Sequence, residues 1–222
     1  MEKFIIIVAG GSGTRMGTAL PKQFLEINGK PVLMHTVELF RKFDANCKIF
    51  LGLPQPQMEF WKQLCKQHHF TIDHQLSPGG ETRFHTVKNA LNLIKDEGLI
   101  AVHDGVRPLV SQETLERCFK GAAEFGAAIP VLPVVESIRQ LDKTGNSKAV
   151  ERSQFVSVQT PQVFQSKVLK EAYEQDFTTY FTDDASVVEA LGHSIHLAEG
   201  NRENIKITHP MDLKMAEMLL QV

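Results

Sequence analysis

The chain has 222 residues, 42% of them hydrophobic, which suffices for the core of one large domain and argues against disorder. Lys and Arg number 24 against 26 Asp and Glu, a formal net charge of −2, so the basic excess of a nucleic-acid binder is missing and phosphate chemistry must rest on a few placed cations. Cys47, Cys65 and Cys118 form no C-x-x-C pair, which excludes the usual zinc and disulfide patterns, and no apolar stretch approaches the roughly 20 residues that span a bilayer. The first apolar run is too short for a signal-peptide core and ends in a glycine cluster, so the expected compartment is the cytoplasm, with neither membrane nor nucleic acid as partner.

In chain order, residues 4–8 (FIIIV) read as a first strand apolar on both faces, and 32–43 as a helix with Leu33, Val37 and Phe40 at helical spacing. A strand is expected at 48–53, a helix at 57–68, a strand at 70–76 and a helix at 82–95. A buried strand at 99–102 is followed by a helix from about 112 to 125, for which Ser111 is the expected N-cap. Residues 127–134 return as a strand. This alternation predicts an α/β fold: a Rossmann-like, mostly parallel sheet with helices on both faces.

The pattern breaks at about 136–160. Here a turn cluster, DKTGN at 142–146, separates two extended segments of mixed polarity, predicting a protruding β-hairpin arm. Two strands cannot bury a core alone, so the arm either folds over the active site or exchanges contacts with another subunit. Projecting polar arms need a partner surface, which favours the second and makes the arm a dimerisation element. Helices follow at 166–175 and 183–191, then strands near 194–197 and 204–208. A last helix starts at Pro210. The expected organisation is a single domain over 1–222 with the arm as an insertion.

The strongest local signal lies directly after the first strand: Ala9, Gly10, Gly11, Ser12 and Gly13, then Arg15 at the centre of GGSGTRMG. Glycine lets the backbone turn tightly and bring N–H groups to phosphate oxygens. A P-loop would need a lysine that is not there, and the dinucleotide fingerprint would need glycine where Met16 stands. What remains is a glycine cradle with Arg15 inside it and Lys22 close behind, preceded by Pro21. Backbone donors and two fixed cations match a triphosphate whose α-phosphorus is attacked, where charge spreads over the equatorial oxygens. The other reading is a surface loop carrying two solvated cations.

Asp104 and Arg107 occupy a loop just past a buried strand, where open α/β sheets bind ligands; alternatively they are an internal pair holding that loop. His103 is expected to pack or hydrogen-bond locally, since an ionised phosphate needs no general base. Gly80, Glu81 and Thr86 lie at another strand-to-helix junction and suit the edge of a nucleobase, with helix capping by Thr82 the simpler reading. Asp183 and Asp184 are neighbouring carboxylates that either bind a metal or complement a helix N-terminus. Lys206 stands among isoleucines, an unusual place unless it faces a pocket or an edge.

Six segments in order resemble the 2-C-methyl-D-erythritol 4-phosphate cytidylyltransferase family: GSGTRM at 11–16, PKQ at 21–23, VHDGVRP at 102–108, QTPQ at 159–162, TDDAS at 182–186 and NIKIT at 204–208. The resemblance implies CTP bound over the glycine loop with Mg²⁺ carried by the nucleotide, not by a protein cage, so no metal ligands are assigned. It implies catalytic roles for Arg15, Lys22, Arg152 and Lys206. Nucleotide contacts would come from Ala9, Gly10, Gly11, Ser12, Gly13, Gly80, Glu81, Thr86 and Asp104. Substrate contacts would come from Asp104, Arg107, Ser137, Arg152, Thr160 and Lys206. Arg152 would be delivered by the arm into the neighbouring subunit of a homodimer. Ser137 stands where the family often has threonine, and Glu81 where aspartate is commoner. Two rivals share much of the pattern: a cytidylyltransferase acting on ribitol 5-phosphate, and a nucleotide-binding module without turnover. Arg152 with its neighbour Glu151 and the TDDAS segment favour methylerythritol phosphate over ribitol phosphate.

Overall fold

The first strand, β1 (Glu2–Val8), carries an unbroken apolar run, and its side chains alternate between two separate cores: Ile5 and Ile7 enter one, Phe4 and Ile6 the other. The computed structural model describes residues 1–10 and 20–220. After β1 come a small hairpin of β2 (Glu26–Ile27) and β3 (Lys30–Pro31), then α1 (Val32–Phe43), β4 (Lys48–Leu53), α2 (Gln55–Gln67), β5 (Gln75–Pro78) and α3 (Arg83–Leu91). The chain continues through β6 (Gly98–Asp104), α4 (Gln112–Phe125), β7 (Ala127–Pro133), β8 (Arg139–Leu141), β9 (Ser147–Ala149), β10 (Val156–Val158) and β11 (Gln162–Gln165). It ends with α5 (Ser166–Ala172), α6 (Asp184–Glu189), β12 (His196–Glu199) and α7 (Pro210–Leu219).

The main sheet runs β10-β7-β11-β6-β1-β4-β5, with β12 also along β7. β1 pairs in parallel with both β4 and β6, so Ile5 lies between Ile49 and Ala101. β11, antiparallel to both β6 and β7, and β10, antiparallel to β7, are the exceptions. The sheet is thus mixed and mostly parallel. Helices cover both faces, as expected: Leu33, Phe40, Trp61, Leu64, Leu115 and Phe119 join the Ile5 side, while Phe84, Leu91, Leu169 and Val188 join the Phe4 side.

Ser111 caps α4 by accepting from the Thr114 N–H, and Pro210 opens α7. Several boundaries differ from the sequence reading. The strand expected at 70–76 forms only at Gln75–Pro78, because Phe70 is drawn edge-on against the Trp61 ring instead of pairing. The helix expected at 82–95 stops at Leu91. The strand expected at 194–197 sits at His196–Glu199. Residues 204–208 are extended but join no sheet, since Ile207 and Ile205 turn into a third apolar cluster with Val106 and Ile27. The small β2–β3 hairpin and β11 carry no clear periodicity and were not expected.

Strand order creates the site. From β1 the chain steps to β4 and β5 on one side, then returns to place β6 on the other, so connections diverge at the carboxyl ends of β1 and β6. The Gly105 N–H donates to the Val8 carbonyl at 2.9 Å and the Ala9 N–H to the Gly52 carbonyl at 2.9 Å, which keeps the strand ends in register as they open outward.

Ile6 is fully buried in β1 between its two parallel partners. Ile6→Ala is expected to lower unfolding free energy by about 2–5 kcal/mol, the range for deleting a buried Ile side chain. Urea denaturation measures it, and a loss below about 1 kcal/mol would mean the β1 core can collapse around the void.

Candidate active site

At the carboxyl ends of β1, β5 and β6 lies a cavity of about 250 Å³. Val8, Ala9 and Gly10 supply one wall. Gly80, Glu81, Arg83 and Thr86 supply a second, and Asp104, Val106 and Lys206 a third. Lys22, Gln23 and Thr82 complete the described lining. Gly11, Ser12, Gly13 and Arg15 lie outside the described residues.

Lys22 reaches the cavity because its neighbours are anchored. Pro21 is extended, and residues 22–24 form a single 3-10 turn. Gln23, only 1% exposed, donates to the Ala9 carbonyl at 2.8 Å and to Gln57 Oε1 at 2.9 Å, while Phe24 stacks on Trp61. The PKQ segment is therefore docked onto the end of β1 through its glutamine, and Lys22 is carried along.

The second wall is set by a close approach. A Cβ on Gly80 would lie 2.8 Å from the His85 carbonyl carbon, so only glycine lets this turn fold against the first turn of α3. The Gly80 N–H donates to Thr86 Oγ1 at 3.0 Å, and that hydroxyl donates to the Thr82 carbonyl at 3.1 Å. Thr82 also caps α3, accepting from the His85 N–H. The capping reading of this junction holds, and the capped turn borders the cavity.

The third wall is a charge cluster. Asp104 is 8% exposed, and its Oδ2 faces Lys206 Nζ at 3.0 Å and Arg107 Nε at 3.2 Å. Its Oδ1 lies 3.8 Å from Arg83 Nε. Burial alone would raise the Asp104 pKa, but Arg83, Lys206 and Arg107 overcome it and hold the carboxyl well below the usual range. Arg107 is bound further by the Asn204 carbonyl at 2.8 Å, which ties the Asp104 loop to the segment carrying Lys206.

Arg83 escaped the sequence reading. It is the first residue of α3, where the helix dipole disfavours a cation, and that misplacement was the available signal. Buried Asp184 compensates, accepting from Arg83 Nη2 at 2.6 Å. Burial tends to lower the Arg83 pKa, and the Asp184 and Asp104 charges more than reverse that. Asp183 is the N-cap of α6, in a capping box with Ser186, so the helix-terminus reading of this acidic pair describes Asp183. Among the described residues no group of three or more His, Cys, Asp or Glu side chains is arranged to hold a metal ion.

Thr160 does not line the cavity. Its buried hydroxyl accepts from the Asp104 N–H at 3.1 Å and faces His103 Nδ1 at 3.0 Å, so it supports the loop from behind. Ser137 and Arg152 stand on the arm, exposed and outside the cavity lining. Arg152 donates to the Val135 carbonyl across the base of the arm. The arm's tip is shaped by Asp142, whose Oδ1 accepts from the Thr144 and Asn146 N–H groups, and by Gly145 at φ +89°.

A family model described as 2-C-methyl-D-erythritol 4-phosphate cytidylyltransferase matches residues 4–222. A protein of that name from Bacteroides thetaiotaomicron is 59% identical over 220 residues, covering 99% of this chain and 100% of its own length. One from Bacillus mycoides is 36% identical, covering 98% and 97%. The crystal structure of 2-C-methyl-D-erythritol 4-phosphate cytidylyltransferase from Thermus thermophilus aligns over all of both chains, with a TM-score of 0.81 at 32% identity.

His103 gives the site a measurable pH signature. Its Nε2 lies 2.9 Å from the Arg107 carbonyl, which can only accept, so Nε2 carries the proton and Nδ1 is left to accept from Thr160. Burial pushes its pKa down from 6.5 to about 4. The unfolded chain binds a proton that the folded chain refuses between those values, so stability falls as pH drops from 6.5 towards 4, by about 3 kcal/mol in all. Imidazole NMR titration together with urea melts at several pH values reads this, and an ordinary pKa near 6.5 for His103 would refute it.

Proposed function

We propose residue roles for a chain that belongs to the 2-C-methyl-D-erythritol 4-phosphate cytidylyltransferase family. The enzyme transfers a cytidylyl group from CTP to 2-C-methyl-D-erythritol 4-phosphate, giving 4-diphosphocytidyl-2-C-methyl-D-erythritol and pyrophosphate for isoprenoid biosynthesis. The observation that carries the role assignment is the cavity. It joins Lys22, Asp104 and Lys206, far apart in sequence, to the end of the first strand and the Gly80 turn.

The acceptor's phosphate oxygen attacks the α-phosphorus of CTP in line. A new phosphorus–oxygen bond forms as the bond to the bridging oxygen of the β-phosphate breaks, and pyrophosphate departs. No proton need be removed from the ionised nucleophile, which fits a site without a general base. Negative charge grows on the equatorial and bridging oxygens, and Lys22, with Arg15 on the glycine loop, is assigned to stabilise it. Ala9, Gly10, Gly11, Ser12 and Gly13 are assigned to the phosphates. Gly80, Glu81 and Thr86 border the base, and the spent donor of Thr86 leaves its hydroxyl as an acceptor and a spacer there.

Asp104 is assigned to hydroxyl groups of ribose or acceptor. Arg107, Lys206, Ser137 and Arg152 are assigned to the acceptor and its phosphate, with Thr160 acting through the Asp104 backbone. Mg²⁺ brought with CTP would supply neutralisation of phosphate charge. Asp104 is the buried carboxylate of the described wall, and because three cations already face it, the triphosphate itself would supply most of the ligands.

The chain acts as one nucleotidyltransferase domain whose arm, about 136–160, joins two copies into a homodimer. Val135, Leu141, Phe155, Val156 and Val158 are all exposed on or beside the arm, an apolar surface that a second copy would cover. No helix among the described residues is long and apolar enough to cross a membrane, and the working compartment is the cytoplasm.

Pyrophosphate release from CTP and Mg²⁺, with methylerythritol 4-phosphate and ribitol 5-phosphate offered in parallel, tests the substrate. Fast release only with methylerythritol phosphate is expected, and a preference for ribitol phosphate would overturn the acceptor assignment. Lys22→Ala is expected to reduce turnover about 10²–10³-fold, the effect of removing one transition-state donor, with an unchanged circular dichroism spectrum. Near-normal turnover would remove Lys22 from the mechanism.

A further inference from the structure

Asp104 is crowded on one oxygen and open on the other, and the cause lies behind the cavity wall. Lys206 and Arg107 make their closest approaches to Oδ2, at 3.0 and 3.2 Å, while Arg83 makes its own to Oδ1, at the longer distance of 3.8 Å. Arg83 makes its short bond away from the cavity, from Nη2 to Asp184 Oδ2 at 2.6 Å. The other oxygen of Asp184 accepts from the Tyr173 hydroxyl, also at 2.6 Å.

Both partners are held without slack. Asp184 is fully buried and Tyr173 is 2% exposed. The Tyr173 ring stacks on Phe84, the neighbour of Arg83, with centroids 4.6 Å apart and planes 17° from parallel. Gln162 pins the start of α6: its amide nitrogen donates to Asp183 Oδ2 at 2.7 Å, and its carbonyl accepts from the Ala185 N–H at 2.8 Å. Charge-assisted bonds removed from water are the strong ones, so Arg83 has little freedom to leave Asp184. Without that hold, a guanidinium 3.8 Å from a buried carboxylate would close on it, since ion-pair energy rises steeply at short range in such surroundings. Both oxygens of Asp104 would then be covered by protein cations.

We infer that Tyr173 and Asp184 are positioning residues: they hold Arg83 off Asp104, leaving Asp104 Oδ1 open to accept a hydrogen bond from a ligand hydroxyl. That hydroxyl belongs to the nucleotide's ribose or to the sugar-alcohol acceptor. The inference rests on the cytidylyl-transfer reading only for the choice of these ligands.

Asp184→Asn, Asp184→Glu, Tyr173→Phe, Asp104→Asn and the double variant Asp104→Asn/Asp184→Asn test it, each with separate KM values for CTP and acceptor, kcat and thermal unfolding. Asp184→Asn is expected to raise one KM about tenfold or more, as for a lost bond to a charged group, with a smaller change in kcat. A rise for CTP identifies ribose, and a rise for the acceptor identifies the sugar alcohol. Asp184→Glu should recover most of the loss, and Tyr173→Phe should give a smaller shift in the same direction. The double variant should be no worse than Asp104→Asn alone, because both changes act on one acceptor. Additive effects, or losses in both KM values that merely follow the melting temperature, would overturn the inference. A readout without turnover keeps it separate from the assigned reaction: the Arg83 Nε–H resonance should shift in Asp184→Asn and take a different position in the double variant, where no Asp104 carboxylate remains to receive the guanidinium. An Arg83 resonance unmoved by Asp184→Asn would also overturn it, even in an enzyme with full activity.

Discussion

A buried carboxylate surrounded by cations is the constraint on which the site depends. A cavity built for phosphates must gather positive charge before any ligand arrives, and Arg83, Arg107 and Lys206 would repel one another if left alone. Asp104 resolves this by meeting all three within 4 Å. It does so at the end of the innermost strand, where its own N–H is fixed by Thr160 and its loop by His103. In the role proposed for it, the carboxylate that holds these cations together would also face ligand hydroxyls once phosphates draw the cations away. Its depressed pKa follows from that crowding and keeps it ionised throughout the range in which the phosphates are ionised.

The scaffold serves this arrangement with few parts. Strand order diverges between β1 and β6, which opens a crevice without any insertion. Gln23 holds Lys22 at the crevice by bonding to Ala9, just past β1, and Gly80 lets its turn border the crevice by tolerating contact with α3. Behind the wall, the N-termini of α3 and α6 are joined by the ion pair of Arg83 and Asp184. Rigidity at these points matters for catalysis, because stabilisation of a transition state depends on donors already in place.

Much of this was legible in the residues. Alternation in β1 announced both cores, Ser111 and Pro210 announced their helices, and Lys206 among isoleucines announced a side chain with a reason to face a pocket. What periodicity could not reveal was pairing. Residues 204–208 have strand composition yet join no ladder: the Ile207 N–H reaches the Val106 carbonyl, Arg107 claims the Asn204 carbonyl, and the isoleucines are taken by the cluster around Val106. Gln162 and Gln165 gave no hint of an antiparallel strand between two others. Arg83 and Tyr173 were hidden for a related reason: their partners lie about 101 and 11 residues away along the chain, and local spacing cannot see a bond closed by tertiary folding.

The dimer proposed for the arm raises the question of why a site with such a charge cluster would draw on a second chain. The described cavity contains cations for the nucleotide's phosphates and a carboxylate that already balances them, yet a second phosphorylated substrate brings further negative charge. Ser137 and Arg152 stand exposed on the arm, away from the cavity of their own chain. In the proposed dimer the arm would deliver an additional guanidinium only when two folded copies meet, and its exposed Phe155, Val156 and Val158 would supply the apolar area that makes the meeting stable. Placing that charge on a partner avoids a fourth cation beside Asp104 in the isolated chain, where its repulsion from the other three would act on a site without ligand. In that dimer, assembly and acceptor binding would draw on the same electrostatic requirement, and the arm's polar turn, shaped by Asp142 and Gly145, would hold the projecting segment in one form for its partner.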